Sequence, residues 1–197
     1  MAGSVNADAK RREIVTAAAV LFDRDGYHAV GVGQIAEAVG IRKPTLYHYL
    51  SSKDELLTWI HEEFIDLLLA KHAARGTDGS AAAEIRAVLT DVLELMETHR
   101  GHVRVFFEHH RELPDIARAR VREKRDAYQS GVEQTIIRGV ATGEFRALDP
   151  RLATLALFGM CNWSYQWYSS DGPSSAAEIA TFFSEIFVEG IAARPGH

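Results

Sequence analysis

The chain has 197 residues, 22 Lys+Arg against 27 Asp+Glu, a formal net charge of −5, and 47% hydrophobic with 25% charged residues. That size and balance imply one or two folded domains with a real core and exclude a mainly disordered chain; the lone Cys161 excludes an internal disulfide and points to a reducing cytoplasm. A polar start predicts no signal peptide, apolar stretches such as residues 152–161 fall short of the roughly 18 needed to span a bilayer, and the acidic balance by itself argues against a nucleic-acid partner.

The periodicity is helical throughout, with five prolines and almost no strand-like alternation, so the expected fold class is all-α. Residues 1–9 read as a flexible tail. From 10 to 25, Ile14, Ala17, Ala18, Leu21 and Phe22 form one apolar stripe that Gly26 stops. A short helix over 32–39 turns Ile35, Ala36 and Val39 inward and ends at Gly40. Another runs over 43–49, with Pro44 in its tolerant first turn. Ser52-Lys53-Asp54-Glu55 has capping-box form, Ser52 capping and Glu55 reaching back, and opens a long helix that ends near Ala74. Residues 75–80 are the clearest linker-like break. Beyond it, helices are expected over 81–98, 101–110 and 114–141. Asp149-Pro150 starts an eighth helix reaching Tyr168, and a last one covers 176–193 after the turn-rich 169–175. The total is nine helices, with a head over 10–56 and a body over 57–197.

Three short helices with a glycine-centred turn make a helix-turn-helix. Its packing needs a small residue where the second helix crosses the third (Ala36), a turn glycine (Gly40) and an apolar anchor (Ile41). The third helix must then face the major groove with polar and aromatic side chains, here Arg42, Lys43, Thr45, Tyr47 and His48, while Leu46 goes to the core. Residues 1–57 hold seven Lys+Arg and seven Asp+Glu, so the whole acidic excess lies in the body. Lys10, Arg11, Arg12, Arg42, Lys43 and Lys53 stand where the motif would meet DNA.

Gly26-Tyr27, Ile35-Ala36, Val39-Gly40-Ile41, Lys43-Pro44-Thr45-Leu46-Tyr47 and Ser52-Lys53-Asp54-Glu55-Leu56 closely resemble the TetR family of transcriptional repressors. The resemblance implies a nine-helix fold, operator DNA as partner and a recognition face of Lys43, Thr45, Tyr47 and His48. Gly31 and Gln34 at the second helix and Arg42 complete that contact set, and Lys53 matches a lysine that meets a phosphate. Two positions depart from the pattern: Gly31 replaces a capping Ser or Thr, and Arg42 replaces a Ser, adding a donor for phosphate or guanine.

The same resemblance implies a small-molecule effector and a homodimer built by the last two long helices. Both are apolar beyond one core stripe, with Leu152, Ala156 and Gly159 on one and Phe183, Ile186 and Phe187 on the other. Asn162, Trp163, Gln166 and Trp167 mix aromatics with amides as an effector lining does, and Phe106, Phe107, His110 and Tyr128 are their expected partners. Gly143-Glu144-Phe145-Arg146, Leu148-Asp149-Pro150, Asn162-Trp163 and Trp167-Tyr168 resemble the acyl-CoA-responsive branch that controls fatty-acid and steroid catabolism. A CoA ester needs cations for its phosphates, which Arg118, Arg122 and Arg125 could supply from one helix face. A planar drug or aromatic metabolite is the alternative effector, and a ligand-binding protein with a vestigial head the alternative function. His99 with His102, and Glu108 with His109 and His110, match no standard metal site. No nucleophile–base arrangement stands out either, so neither a metal, a cofactor nor an enzyme activity is expected.

Overall fold

The computed structural model describes residues 2–76 and 79–193. In chain order the helices are α1 (Ala2–Asp25), α2 (Val32–Ala38), α3 (Lys43–Leu46), α4 (Lys53–Ala74), α5 (Ala81–Thr98), α6 (Arg100–Glu108), α7 (Asp115–Ala141), α8 (Pro150–Asn162) and α9 (Ala176–Ile191), with a 3-10 turn over Trp163–Gln166. Among the described residues the remaining regular feature is an isolated antiparallel bridge between Phe145 and Ala192. The fold class is all-α, as expected.

Helix starts follow from local chemistry. The Asp149 carboxylate accepts from the Leu152 N–H (3.0 Å) ahead of Pro150. Ser175 and Glu178 form a reciprocal capping box for α9. At α4, Ser52 Oγ accepts from Glu55 N–H (3.2 Å), but the Glu55 carboxylate reaches back to Ser51 rather than to the Ser52 backbone.

Three expectations change. The helix expected from residue 10 starts at Ala2, because residues 2–9 contain no proline and three alanines, so nothing stops the turn propagating through the expected tail. The third helix is one turn long, with residues 47–49 in turns. The eighth helix stops at Asn162 instead of Tyr168: bulky, poor helix-forming rings at 163, 165, 167 and 168 tighten the chain, and both Trp167 and Tyr168 N–H groups bond to Ser164 O. Of the break expected over 75–80, Thr77 and Asp78 lie outside the described residues, as does Met1 of the tail.

The chain forms two compact units, Met1–Ile65 with Arg100–Arg122, and Asp66–His99 with Glu123–His197. The first unit contains the helix-turn-helix and also takes in α6 and the first turns of α7. Its core joins Ile14, Ala18 and Phe22 of α1 to Ile35, Ala36, Leu46, Leu56 and Ile60, and Val105, Leu113, Ala117 and Val121 pack on the same cluster. Removing a side chain such as Leu46, which is fully buried, would cost about 2–5 kcal/mol. Close approach of α6 to α1 depends on Gly101: a Cβ there would sit 2.8 Å from the Ala19 carbonyl oxygen. In the second unit α5 packs on α9, with Ile85, Leu89, Val92 and Leu93 buried on one helix and Ile179, Ala180, Phe187 and Val188 on the other. Val132 and Ile136 of α7 and Leu157 and Cys161 of α8 are buried there too.

Candidate functional site

In the first unit the turn between α2 and α3 has the geometry the sequence demands. Ile35 and Ala36 are buried, Gly40 takes a left-handed φ of 66°, and Ile41 N–H bonds back to Ala36 O at 2.9 Å. A residue with a Cβ at Gly40 would be strained in that conformation. Leu46 is buried, as expected. Arg42, Lys43, Thr45 and His48 are exposed, and Tyr47 keeps 49% of its surface in solvent. Gly31 and Gln34 are exposed beside them, with Gln34 Oε1 accepting from Gly31 N–H at 2.6 Å, which satisfies the N-cap backbone while α2 keeps no side-chain cap from position 31. Seven of the eight residues expected to meet DNA are therefore exposed, on α2, α3 and their turns.

Lys53 is placed differently. Its Nζ donates to Tyr27 O (2.7 Å) and Val30 O (3.1 Å) and stands 4.2 Å from the Tyr27 ring centroid. The Tyr27 hydroxyl donates to the Asp54 carboxylate, and burial followed by that bond pushes the hydroxyl's pKa up. Lys10, also expected to face DNA, donates to Val39 O (3.0 Å) at the end of α2, and the Arg11 guanidinium stacks 3.8 Å over Trp59. These cations shape the head before they could meet a phosphate. Tyr27 is the residue that sequence reasoning passed over: it stood in the motif only as a matched position, and its ring also meets Phe22 and His109. His109 and His28 both lie against Glu112, at 3.4 and 3.6 Å. Burial opposes ionisation of Glu112, yet the His109 hydrogen bond holds its carboxyl below the usual range.

The expected effector residues divide between the units. Phe106 and Phe107 belong to the first, their rings against Phe64, and Phe106 also faces the buried His61. His110 is exposed in the same unit. Tyr128 lies in the second unit, buried between Phe158 and His72, and its hydroxyl has no hydrogen-bond partner among the described residues. Asn162 is half-buried. Trp163 (63% exposed), Gln166 and Trp167 (50% exposed) lie at the surface, Trp167 edge-on to Phe183. Of the arginines proposed for a ligand phosphate, Arg118 donates to Leu113 O (2.8 Å) and pairs with Asp115. Arg125 pairs with Asp126, and Arg122 is exposed.

The residues expected at the dimer face differ in exposure within the second unit. Leu152, Ala156 and Gly159 on α8 and Ile186 on α9 are exposed, with Leu155 and Phe182 beside them. Phe183 is half-buried, whereas Phe187 is buried in its own unit and cannot also serve that face. Among the described residues no three His, Cys, Asp or Glu side chains are grouped to hold a metal, and no helix is long and apolar enough to cross a membrane.

Residues 78–191 match the family model described as Tetracyclin repressor-like, C-terminal domain, and residues 14–58 match that of Bacterial regulatory proteins, tetR family. A transcriptional repressor of Mycolicibacterium smegmatis, KstR2, is 27% identical over 190 residues, 95% of this chain and 93% of that protein. The crystal structure of the regulator PfmR from Thermus thermophilus superposes with a TM-score of 0.85 at 28% identity, covering 89% of this chain and 97% of PfmR. AibR, solved in complex with isovaleryl coenzyme A and operator DNA, gives 0.80 at 25% identity, covering 89% and 96%.

Proposed function

Because this chain belongs to the TetR family of bacterial regulatory proteins, we propose that it is a homodimeric transcriptional repressor of the cytoplasm, released from its operator by a small hydrophobic effector. The observation that carries the DNA reading is the exposed face of Arg42, Lys43, Thr45, Tyr47 and His48, held on the buried Leu46 and the Gly40 turn. Arg42 and Lys43 supply phosphate or guanine contacts, and Thr45, Tyr47 and His48 read base edges or thymine methyls. The exposed apolar residues of α8 and α9 make the dimer face, and a two-fold dimer places two recognition helices roughly 34–36 Å apart on a palindrome.

For the effector, an acyl-CoA is favoured by AibR, which was solved with one and with operator DNA. Within this chain, the Tyr128 hydroxyl supports an effector contact, since a buried hydroxyl without a partner costs about 1–3 kcal/mol until a polar atom meets it. The effector acts by binding one arrangement of the dimer better than the other, and its differential affinity sets the size of the response.

A gel shift with the DNA upstream of the protein's own gene tests the first part. Retardation that weakens with salt is expected, and Arg42→Ala with Lys43→Ala should reduce affinity at least about tenfold. Wild-type protein that fails to retard this duplex even at low salt would sink the repressor reading. Thermal shifts with isovaleryl-CoA, longer acyl-CoAs and planar hydrophobic drugs test the second, because a ligand at a hundredfold its Kd stabilises by about 2.7 kcal/mol. Tyr128→Phe should raise the stability of the ligand-free protein while shrinking the shift given by the effective ligand.

A further inference from the structure

His61 of α4 is fully buried in the first unit, yet its hydrogen bond stays within its own helix: Nδ1 lies 2.8 Å from Leu57 O. A carbonyl oxygen only accepts, so Nδ1 carries the proton, and burial lowers the ring's pKa to about 4, which leaves it neutral. A neutral imidazole has a single N–H. Nε2 is therefore a bare acceptor, and no donor meets it among the described residues. An apolar side chain would fill the same space without an orphaned atom, so packing does not account for a histidine here. The Phe106 ring stands 5.4 Å from the imidazole, with Phe64 at 4.6 Å and Phe107 at 5.3 Å from Phe106, all between ring centroids. Phe64 is buried, while Phe106 and Phe107 are half-buried, so the aromatic cluster runs from His61 out to solvent.

We propose that His61 and the rings beside it bind a small neutral molecule: Nε2 accepts from an O–H or N–H of that molecule, whose apolar body lies against Phe64, Phe106 and Phe107. The direction of the bond narrows the class. A carboxylate, phosphate or ketone oxygen would set lone pairs against a lone pair, and a neutral ring offers an anion no charge in exchange for its water. A hydroxyl, an amide N–H or an indole-type N–H fits. Phe106 covers the imidazole and is itself half-buried, so it is the side chain that turns aside to admit the ligand. The site differs from that of the Tyr128 hydroxyl, which lies in the second unit and can donate as well as accept. That the same molecule frees the operator rests on the effector reading above; the site itself does not.

The test uses the full-length protein and two probes of one shape, indole and benzofuran, in which an oxygen replaces the N–H. Calorimetric titration should show indole binding about fivefold more tightly, the worth of one hydrogen bond. That preference should vanish in His61→Phe, which keeps a ring and removes the acceptor, and persist in Tyr128→Phe. Nitrogen NMR of histidine-labelled wild type gives a second reading that does not depend on how His61→Phe folds. The Nε2 signal of His61, assigned by its loss in His61→Gln, should be that of an unprotonated and unbonded nitrogen. Indole should move it towards the hydrogen-bonded position, and benzofuran should not. Equal or absent binding of the two probes, a preference that survives in His61→Phe, or an Nε2 signal that indole leaves in place, as a resident water would, overturns the proposal. Indole that moves the His61 signal but leaves the protein on the upstream duplex in a gel shift would confirm the site and count against its use by an effector.

Discussion

Some of the best-held charges in the two compact units are of opposite sign, although the first also keeps the carboxylates of Asp23 and Glu112 half-buried. In the first, cations are fastened to backbone: Lys53 to Tyr27 O and Val30 O, and Lys10 to Val39 O, at the two ends of α2. In the second, carboxylates are drawn in: Glu84 to Thr135 and Arg138, Asp91 to Lys71 and Arg75, and Glu144 to the N–H groups of Ala81 and Ala82. The difference shows why a net charge of −5 says little about a DNA partner. Much of the body's acid is spent on its own frame, and some of the head's base is spent on placing a neutral turn. What remains for a phosphate is local, at exposed cations such as Arg12, Arg42 and Lys43.

The largest effect should come from breaking the second unit's arrangement. Glu84 is buried; Thr135 Oγ1 donates to it at 2.6 Å, Arg138 pairs with it, and His72 lies 4.0 Å away. Burial opposes its ionisation, but the bonds from Thr135 and Arg138 hold the carboxyl below the usual range. Glu84→Ala strands both partners and should cost about 3 kcal/mol, the lower end for a broken buried pair because Arg138 keeps some solvent. Lys10→Ala in the first unit should cost about 1 kcal/mol or less. Equal losses in urea unfolding would erase the contrast between the units.

A second measurement sharpens the contrast, because the first unit also buries a group that stays uncharged. His61 donates from Nδ1 to Leu57 O at 2.8 Å and faces Phe106, and burial lowers its pKa to about 4. Above the unfolded value near 6.5 both states are neutral. As pH falls towards 4 the unfolded chain takes up a proton that the native state refuses, so stability is lost across that window. Between about pH 7.5 and about pH 5 the loss should be about 2 kcal/mol. His61→Gln keeps a donor for Leu57 O and removes the titration, so its urea midpoint should fall less with acid than that of the wild type. Parallel pH dependence in the two proteins would show that His61 protonates freely in the native state.

How much of this was legible in the sequence depends on the reach of the interaction. Helices declared themselves through apolar spacing and through caps within four residues, as at Asp149-Pro150, Ser175 with Glu178, and Gly40. The outward face of α3 followed from the same periodicity, since Leu46 had to go inward. Longer contacts left no local trace. Nothing near position 53 says that a lysine will cross to carbonyls 23 and 26 residues earlier. Nor does local pattern say that residues 100–122 join the head, because α6 packs there through Gly101 against Ala19. Trp163 and Trp167 are expected as effector lining and lie at the surface of this structure, because composition cannot say whether a ring lines an interior or faces outward.

The smallest effect bears on a motif rather than on a whole unit. Gly143-Glu144-Phe145-Arg146 carried part of the likeness to acyl-CoA-responsive regulators, yet each side chain here serves the second unit's frame. Glu144 caps α5 through Ala81 and Ala82 N–H at 3.1 and 3.2 Å. Phe145 is buried, fills the space a side chain at Gly139 would need, and bridges to Ala192. Arg146 Nε donates to Gly190 O at 3.1 Å. Burial works against the Glu144 carboxylate, but the two backbone N–H groups hold its pKa below the usual range, so its contribution is present at neutral pH and fades as acid protonates it. Glu144→Ala should therefore cost about 1 kcal/mol, as loss of a helix cap does, and leave the thermal shift given by isovaleryl-CoA unchanged in size. Glu144→Gln, which can still accept from one N–H, should fall between. A variant that kept its stability but lost the acyl-CoA shift would move Glu144 out of the frame and into the effector site, and the second unit's inward acids would no longer share one purpose.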